Sequence, residues 1–127
     1  MLSTIFLVLS IFYLYLCKIS TVMKYFTIKE LCKSSSAIKH NIDNTPGEEV
    51  IKNIEQLIEN VLDPLREAWG KPIIVNSGYR CPKLNKVVGG AKTSQHITGC
   101  AADITAGSKE DNKKLFDLAQ QLKLPFD

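Results

Sequence analysis

Ser94-Gln-His-Ile-Thr-Gly-Cys-Ala-Ala-Asp-Ile104 contains His96, one of two histidines in the chain, and Asp103 seven positions later. A turn at Gly99 would bring the imidazole and the carboxylate to one point, on a loop that leads into a strand. Cys100, Ala101 and Ala102 are small enough for that strand to pack closely behind the pair. Both groups are good zinc ligands, at about 2.0–2.2 Å. On spacing alone, a loop histidine beside a turn or cap carboxylate is the simpler account. The surrounding residues decide between the two.

Upstream, Pro72-Ile-Ile-Val-Asn76 is predicted as a short buried strand, and Cys100–Thr105 as a second. Residues 77–99 are poor in apolar side chains and rich in glycine, so a long irregular connection is expected there. Connections of that length in small domains tend to be functional. Val50, Ile51, Ile54, Leu57, Ile58, Val61, Leu62 and Leu65 recur at three- and four-residue steps, which predicts a long amphipathic helix. Thr45 and Glu48 have capping-box spacing, with Pro46 at the first helical position. Pro64 is expected to kink this helix and Gly70 to stop it. Thr27 and Glu30 predict a short helix from Ile28 to about Lys33, and Ser34–Thr45 reads as a polar loop. Ser108 can cap a last helix whose apolar side is Leu115, Phe116, Leu118, Ala119 and Leu122.

The chain has 127 residues, enough for one modest core. Its hydrophobic content of 45% and charged content of 23% are those of an ordinary globular domain. The net charge of +3 is mild, the lysines are dispersed and no aromatics are interleaved with them. That argues against nucleic acid as a partner. The four cysteines, Cys17, Cys32, Cys81 and Cys100, form no C-x-x-C pair, which removes the thiolate zinc-finger reading. Free, mostly buried thiols are expected, with a Cys81–Cys100 bridge as the alternative. Residues 1–22 read as an apolar leader, nearly continuous over 5–17, and the domain proper spans 23–127. The leader is a signal peptide, a short membrane anchor or an extension upstream of a start at Met23. The first implies an extracytoplasmic, cell-wall location, the second a membrane contact, and the third a cytoplasmic protein.

Ser77-Gly-Tyr-Arg-Cys-Pro82, Asn85, Val88-Gly-Gly-Ala91 and the opening stretch together resemble the zinc D-alanyl-D-alanine carboxypeptidase family, which includes endolysin-type peptidoglycan endopeptidases. The resemblance runs from about Asn44 to the end, with its specific residues between Ser77 and Asp103. It implies an α+β fold: a small antiparallel sheet with flanking helices, of the type shared with the hedgehog signalling domain. It implies Zn2+ as cofactor, with His96 and Asp103 as two of three metal ligands. Arg80 is implied to grip a substrate carboxylate or support charge on the scissile carbonyl, and Ser94 to line the same pocket. The implied activity is zinc-dependent hydrolysis of peptide bonds involving D-amino acids, by a monomer acting on peptidoglycan stem peptides. Tyr79 is expected to pack, Gly89 and Gly90 to serve positive-φ geometry or close backbone approach, and His40 to lie on the surface.

The same resemblance implies a third ligand, a histidine in a late W-x-H segment preceded by an acidic base. No histidine follows His96, and Trp69 is the only tryptophan. Asp111 and Asp117 read as polar positions of the last helix, and Asp127 is too terminal to be given the base's role. The expectation is a chain lacking its last strand or strands. It is either a fragment of an active enzyme or a degenerate homologue that binds wall peptides without hydrolysing them.

Overall fold

The computed structural model describes residues 23–124; the leader, Cys17 and Asp127 lie outside the described residues. Met23 to Phe26 lie against the middle of the chain. Asp63, only 8% exposed, accepts hydrogen bonds from Lys24 N at 2.6 Å and Tyr25 N at 3.0 Å. Outside this pair, Lys24 Nζ and the Tyr25 hydroxyl both reach Glu67, and the Arg66 guanidinium lies over the Tyr25 ring. Phe26 enters the core at 2% exposure. Asp63→Ala would orphan two backbone donors, so a loss of about 1–3 kcal/mol is expected in urea unfolding, with early proteolysis near Lys24. A loss under about 0.5 kcal/mol would show that the segment is not held this way.

Helix α1, Ile28–Cys32, starts as its sequence predicts, with Thr27 Oγ1 accepting from Glu30 N. The expected loop after it is partly helical. Ser34 Oγ accepts from Ala37 N and starts α2, Ser35–Lys39, burying Ala37. This single hydroxyl cap outweighs the turn-forming composition around it. The long helix begins at α3, Glu48–Leu57, without the expected capping box: Gly47 is the N-cap and makes no side-chain bond. Thr45 Oγ1 is committed to Asp43 Oδ1 at 2.6 Å instead, in a tight turn just before the helix.

The Pro64 effect differs in form from a simple kink. Ile58–Leu62 widens into a π-helical turn, with Asp63 N bonded to Ile58 O, and α4, Asp63–Trp69, follows directly. One extra residue per turn just ahead of a proline takes up the missing N–H and the crowding of its ring. Gly70 then ends α4 in the left-handed region, as predicted.

Strands β1, Ile74–Ser77, and β2, Asp103–Thr105, form a two-stranded antiparallel sheet. Ile74 faces Thr105, Val75 faces Ile104 and Ser77 faces Asp103, so Asn76 is an unpaired bulge. Strand β1 is not buried on both faces. Ile73 is buried just before it, whereas Ile74 is 55% exposed. Residues 77–99 are also not wholly irregular: Pro82–Val87 form α5, with Pro82 at its start and Cys81 Sγ accepting from Leu84 N. Helix α6, Lys109–Gln121, is capped by Ser108 as predicted. It buries Leu115 and Ala119, but Phe116 and Leu122 remain 47% and 41% exposed, because a single i, i+4 stripe meets α4. The shared core includes Leu31, Ile54, Ile58, Leu65, Tyr79 and Leu115. Among the described residues no helix is long and apolar enough to cross a membrane.

Candidate metal centre

Two loops meet at the end of the sheet. The first leaves β1 at Ser77, where the bulge turns the chain towards α1, and Tyr79 N donates to Leu31 O at 2.7 Å. The second is the tight coil from Ser94 to Cys100, closed by Ile97 N to Ser94 O and Cys100 N to Gln95 O. They are joined by Arg80 N, which donates to His96 O at 3.1 Å. The coil is seated on α3. Gly99 has φ +76° and sits so close that a Cβ there would be 2.9 Å from side-chain carbons of both Val50 and Ile54. Asn53 Nδ2 donates to Thr98 O at 2.9 Å beside it. The turn that the sequence requires at Gly99 is therefore real, and its glycine is needed for both conformation and space.

His96 and Asp103 do converge. His96 Nε2 lies 3.5 Å from Asp103 Oδ2, with the imidazole side chain 12% exposed and the carboxylate side chain 64% exposed. The other ring nitrogen, Nδ1, lies 2.7 Å from Gly78 O. A carbonyl can only accept, so Nδ1 carries a proton and donates it. In the neutral ring the Nε2 lone pair then faces a carboxylate oxygen, an arrangement of two donor atoms that suits a cation between them. Two ligands of a tetrahedral zinc at about 2.0–2.2 Å stand roughly 3.3–3.6 Å apart, so the observed separation fits the ion. Gly78 O, facing Nδ1, is the kind of outer partner that would orient a ligating histidine.

Arg80 and Ser94 complete the cluster. Ser94 Oγ accepts from Arg80 Nη2 at 3.4 Å and from His96 N at 3.3 Å, which leaves its own proton free to donate. Arg80 Nε is buried and has no hydrogen-bond partner among the described residues. A permanently charged guanidinium tied through Ser94 to the backbone of His96 is suited to an anionic ligand.

The remaining candidates fall where the sequence places them, with one exception. His40 is exposed at the C-cap of α2, its Nδ1 at 2.9 Å from Ser36 O. Tyr79 is 7% exposed, and burial pushes its hydroxyl above the ordinary tyrosine pKa. Gly89 has positive φ, whereas Gly90 serves close approach, its Cα lying against the Asn85 amide. Cys32, Cys81 and Cys100 are free, so there is no Cys81–Cys100 bridge, but the expected burial of the thiols is not met: Cys32 and Cys81 are half-buried and Cys100, at the end of the coil, is exposed. Asn85, 3% exposed, ties α5 to the segment leading into the coil through Ala91 O. Asn44 and Asn53 were not legible as site residues: each works through side-chain bonds to distant backbone, and local spacing carries no signal of that. Among the described residues, no group of three His, Cys, Asp or Glu side chains could hold a metal ion.

The family model described as Peptidase M15 matches residues 24–124. The zinc D-Ala-D-Ala carboxypeptidase of Streptomyces albus G is 51% identical over 49 residues. That match covers 38% of this chain and only 19% of the relative's length. No solved structure matches.

Proposed function

The chain belongs to the Peptidase M15 family, and on that premise we propose that it hydrolyses peptide bonds involving D-amino acids in peptidoglycan stem peptides. It would act as a zinc D-Ala-D-Ala carboxypeptidase or a related endopeptidase. The hedgehog-like arrangement implied by the sequence belongs to the same proposal. The observation that carries it is the approach of His96 Nε2 to Asp103 Oδ2, with Arg80 tied to the same point through Ser94.

Zinc is the cofactor that the family and the relative indicate, and when bound it supplies Lewis acidity to a carbonyl and to water. The chain's own residues prepare for it. Gly78 O fixes the His96 tautomer so that Nε2 would be free to hold the ion, and Asp103 would add the negative charge. Arg80, whose Nη2 is held by Ser94, would offer the terminal edge of its fork to a terminal carboxylate or to charge developing on the scissile carbonyl. Ser94 keeps the fork beside His96 and offers its own hydroxyl proton to the substrate.

One observation favours a second reading, in which the chain binds wall peptides without hydrolysing them. The described residues supply two protein ligands, where a catalytic zinc normally has three. The expected outcome for the purified chain is weak zinc uptake and little release of D-alanine from a peptide ending in D-Ala-D-Ala. Peptide binding that survives a chelator would establish the second reading. Tight one-to-one zinc with robust D-alanine release would show that the site is completed, and the first reading would stand without qualification.

A further inference from the structure

Asn44 lies between α2 and α3 in a segment without regular structure, yet its side chain makes three bonds to backbone groups far away in sequence. Nδ2 donates to Cys32 O at 2.9 Å and to Tyr79 O at 3.0 Å, and Oδ1 accepts from Cys81 N at 2.7 Å. The partners are 12, 35 and 37 residues distant, so the bonds do not serve a local turn. Tyr79 O belongs to the peptide plane before Arg80, and Cys81 N to the plane after it. One carboxamide thus holds both planes that flank Arg80, while Arg80 N is held separately by His96 O.

We infer that Asn44 is a positioning residue for Arg80, fixing the backbone on both sides of it so that the guanidinium is aimed beside His96 and Ser94. The inference deepens the proposed function, because it rests on Arg80 as the group that meets substrate charge. Asparagine is the side chain whose chemistry meets the requirement: two donor hydrogens for two carbonyls and one acceptor for an amide, on a short stem. Aspartate keeps only the acceptor. A guanidinium held by its own side-chain bonds alone has one long contact, to Ser94 Oγ at 3.4 Å. Without the flanking planes fixed, its four side-chain torsions would leave it diffuse, and an imprecisely held group loses much of its effect on a bound substrate.

The test reads Arg80 directly. The chain has one other arginine, Arg66, so nitrogen-15 spectra resolve two arginine Nε–H signals. In the unmodified chain the Arg80 signal is expected to exchange slowly with solvent. Asn44→Ala should accelerate it by about tenfold. Asn53→Ala, which removes a comparable bond to the Thr98 carbonyl, should leave it unchanged. A merely structural role would lower stability in both variants and move the Arg80 signal in neither. An unchanged Arg80 signal in folded Asn44→Ala would overturn the inference. Should that variant not fold, Asn44→Asp carries the same expectation with the Cys81 bond retained. In the unmodified chain, free-loop exchange of the Cys81 amide would overturn the inference by itself. Peptide affinity of Arg80→Lys is measured alongside. An unaltered value there would sink the substrate role of Arg80, whereas the exchange result judges Asn44 independently.

Discussion

Replacing His96 with alanine is expected to take zinc uptake by the chain below detection, a loss of more than about 100-fold in affinity. Loss of an outer partner of a metal ligand already costs about 10–100-fold. On the proposed assignment a ligand itself is removed from a pair, and a single carboxylate remains. The fold should survive. The ring's one protein hydrogen bond is to Gly78 O, and the side chain lies at the rim of the core, so a cost of about 1–2 kcal/mol is expected. Asp103→Asn makes the complementary case, since its side chain is 64% exposed and its loss should leave stability unaltered while zinc uptake falls. Titration against a competing chelator, with thermal unfolding of the same samples, separates metal loss from unfolding. If His96→Ala bound zinc as the unmodified chain does, the metal assignment would be wrong, and with it the proposed chemistry.

How far the sequence reveals this site depends on the kind of signal each residue leaves. His96, Asp103, Arg80 and Ser94 stand out in the sequence only through the family resemblance, which two short stretches carry; spacing alone does not single them out, and the structure brings the two stretches together. The helices with side-chain caps at Thr27 and Ser108 are legible from local spacing. Thr45 shows the limit of that signal. Its capping-box spacing is genuine, yet Asp43 two residues back competes for its hydroxyl and wins, so the helix starts at Gly47 without a side-chain cap. The π turn before Pro64 was readable only as a disturbance, because a proline announces that a bond is missing without saying how the chain accommodates it. Asn44 and Asp63 are the harder cases. Each binds backbone groups more than thirty residues away, an arrangement set by tertiary packing alone.

Gly78 joins these two levels, and Gly78→Ala is expected to damage both stability and site. Its φ does not lie in the left-handed region, so the reason for glycine here is space rather than backbone freedom. A Cβ at this position would stand 2.8 Å from the Leu31 carbonyl carbon and 3.0 Å from Leu31 Cα, and closer still to the carbonyl oxygen. All three are backbone atoms, so no side-chain rotation relieves the clash. The neighbouring bond from Tyr79 N to Leu31 O must lengthen or break, separating α1 from the exit of β1. A loss of about 2–4 kcal/mol is expected, from overpacking together with at least one buried hydrogen bond. The same displacement moves Gly78 O, which fixes the His96 tautomer, and the Tyr79–Cys81 segment that Asn44 holds. Zinc uptake should therefore fall by about 10–100-fold even in samples that remain folded, although residue 78 touches no metal. Gly78→Ala with lowered stability but unaltered zinc affinity would show that the carbonyl does not orient His96. Unaltered stability would show that α1 and the strand exit are not packed as closely as described.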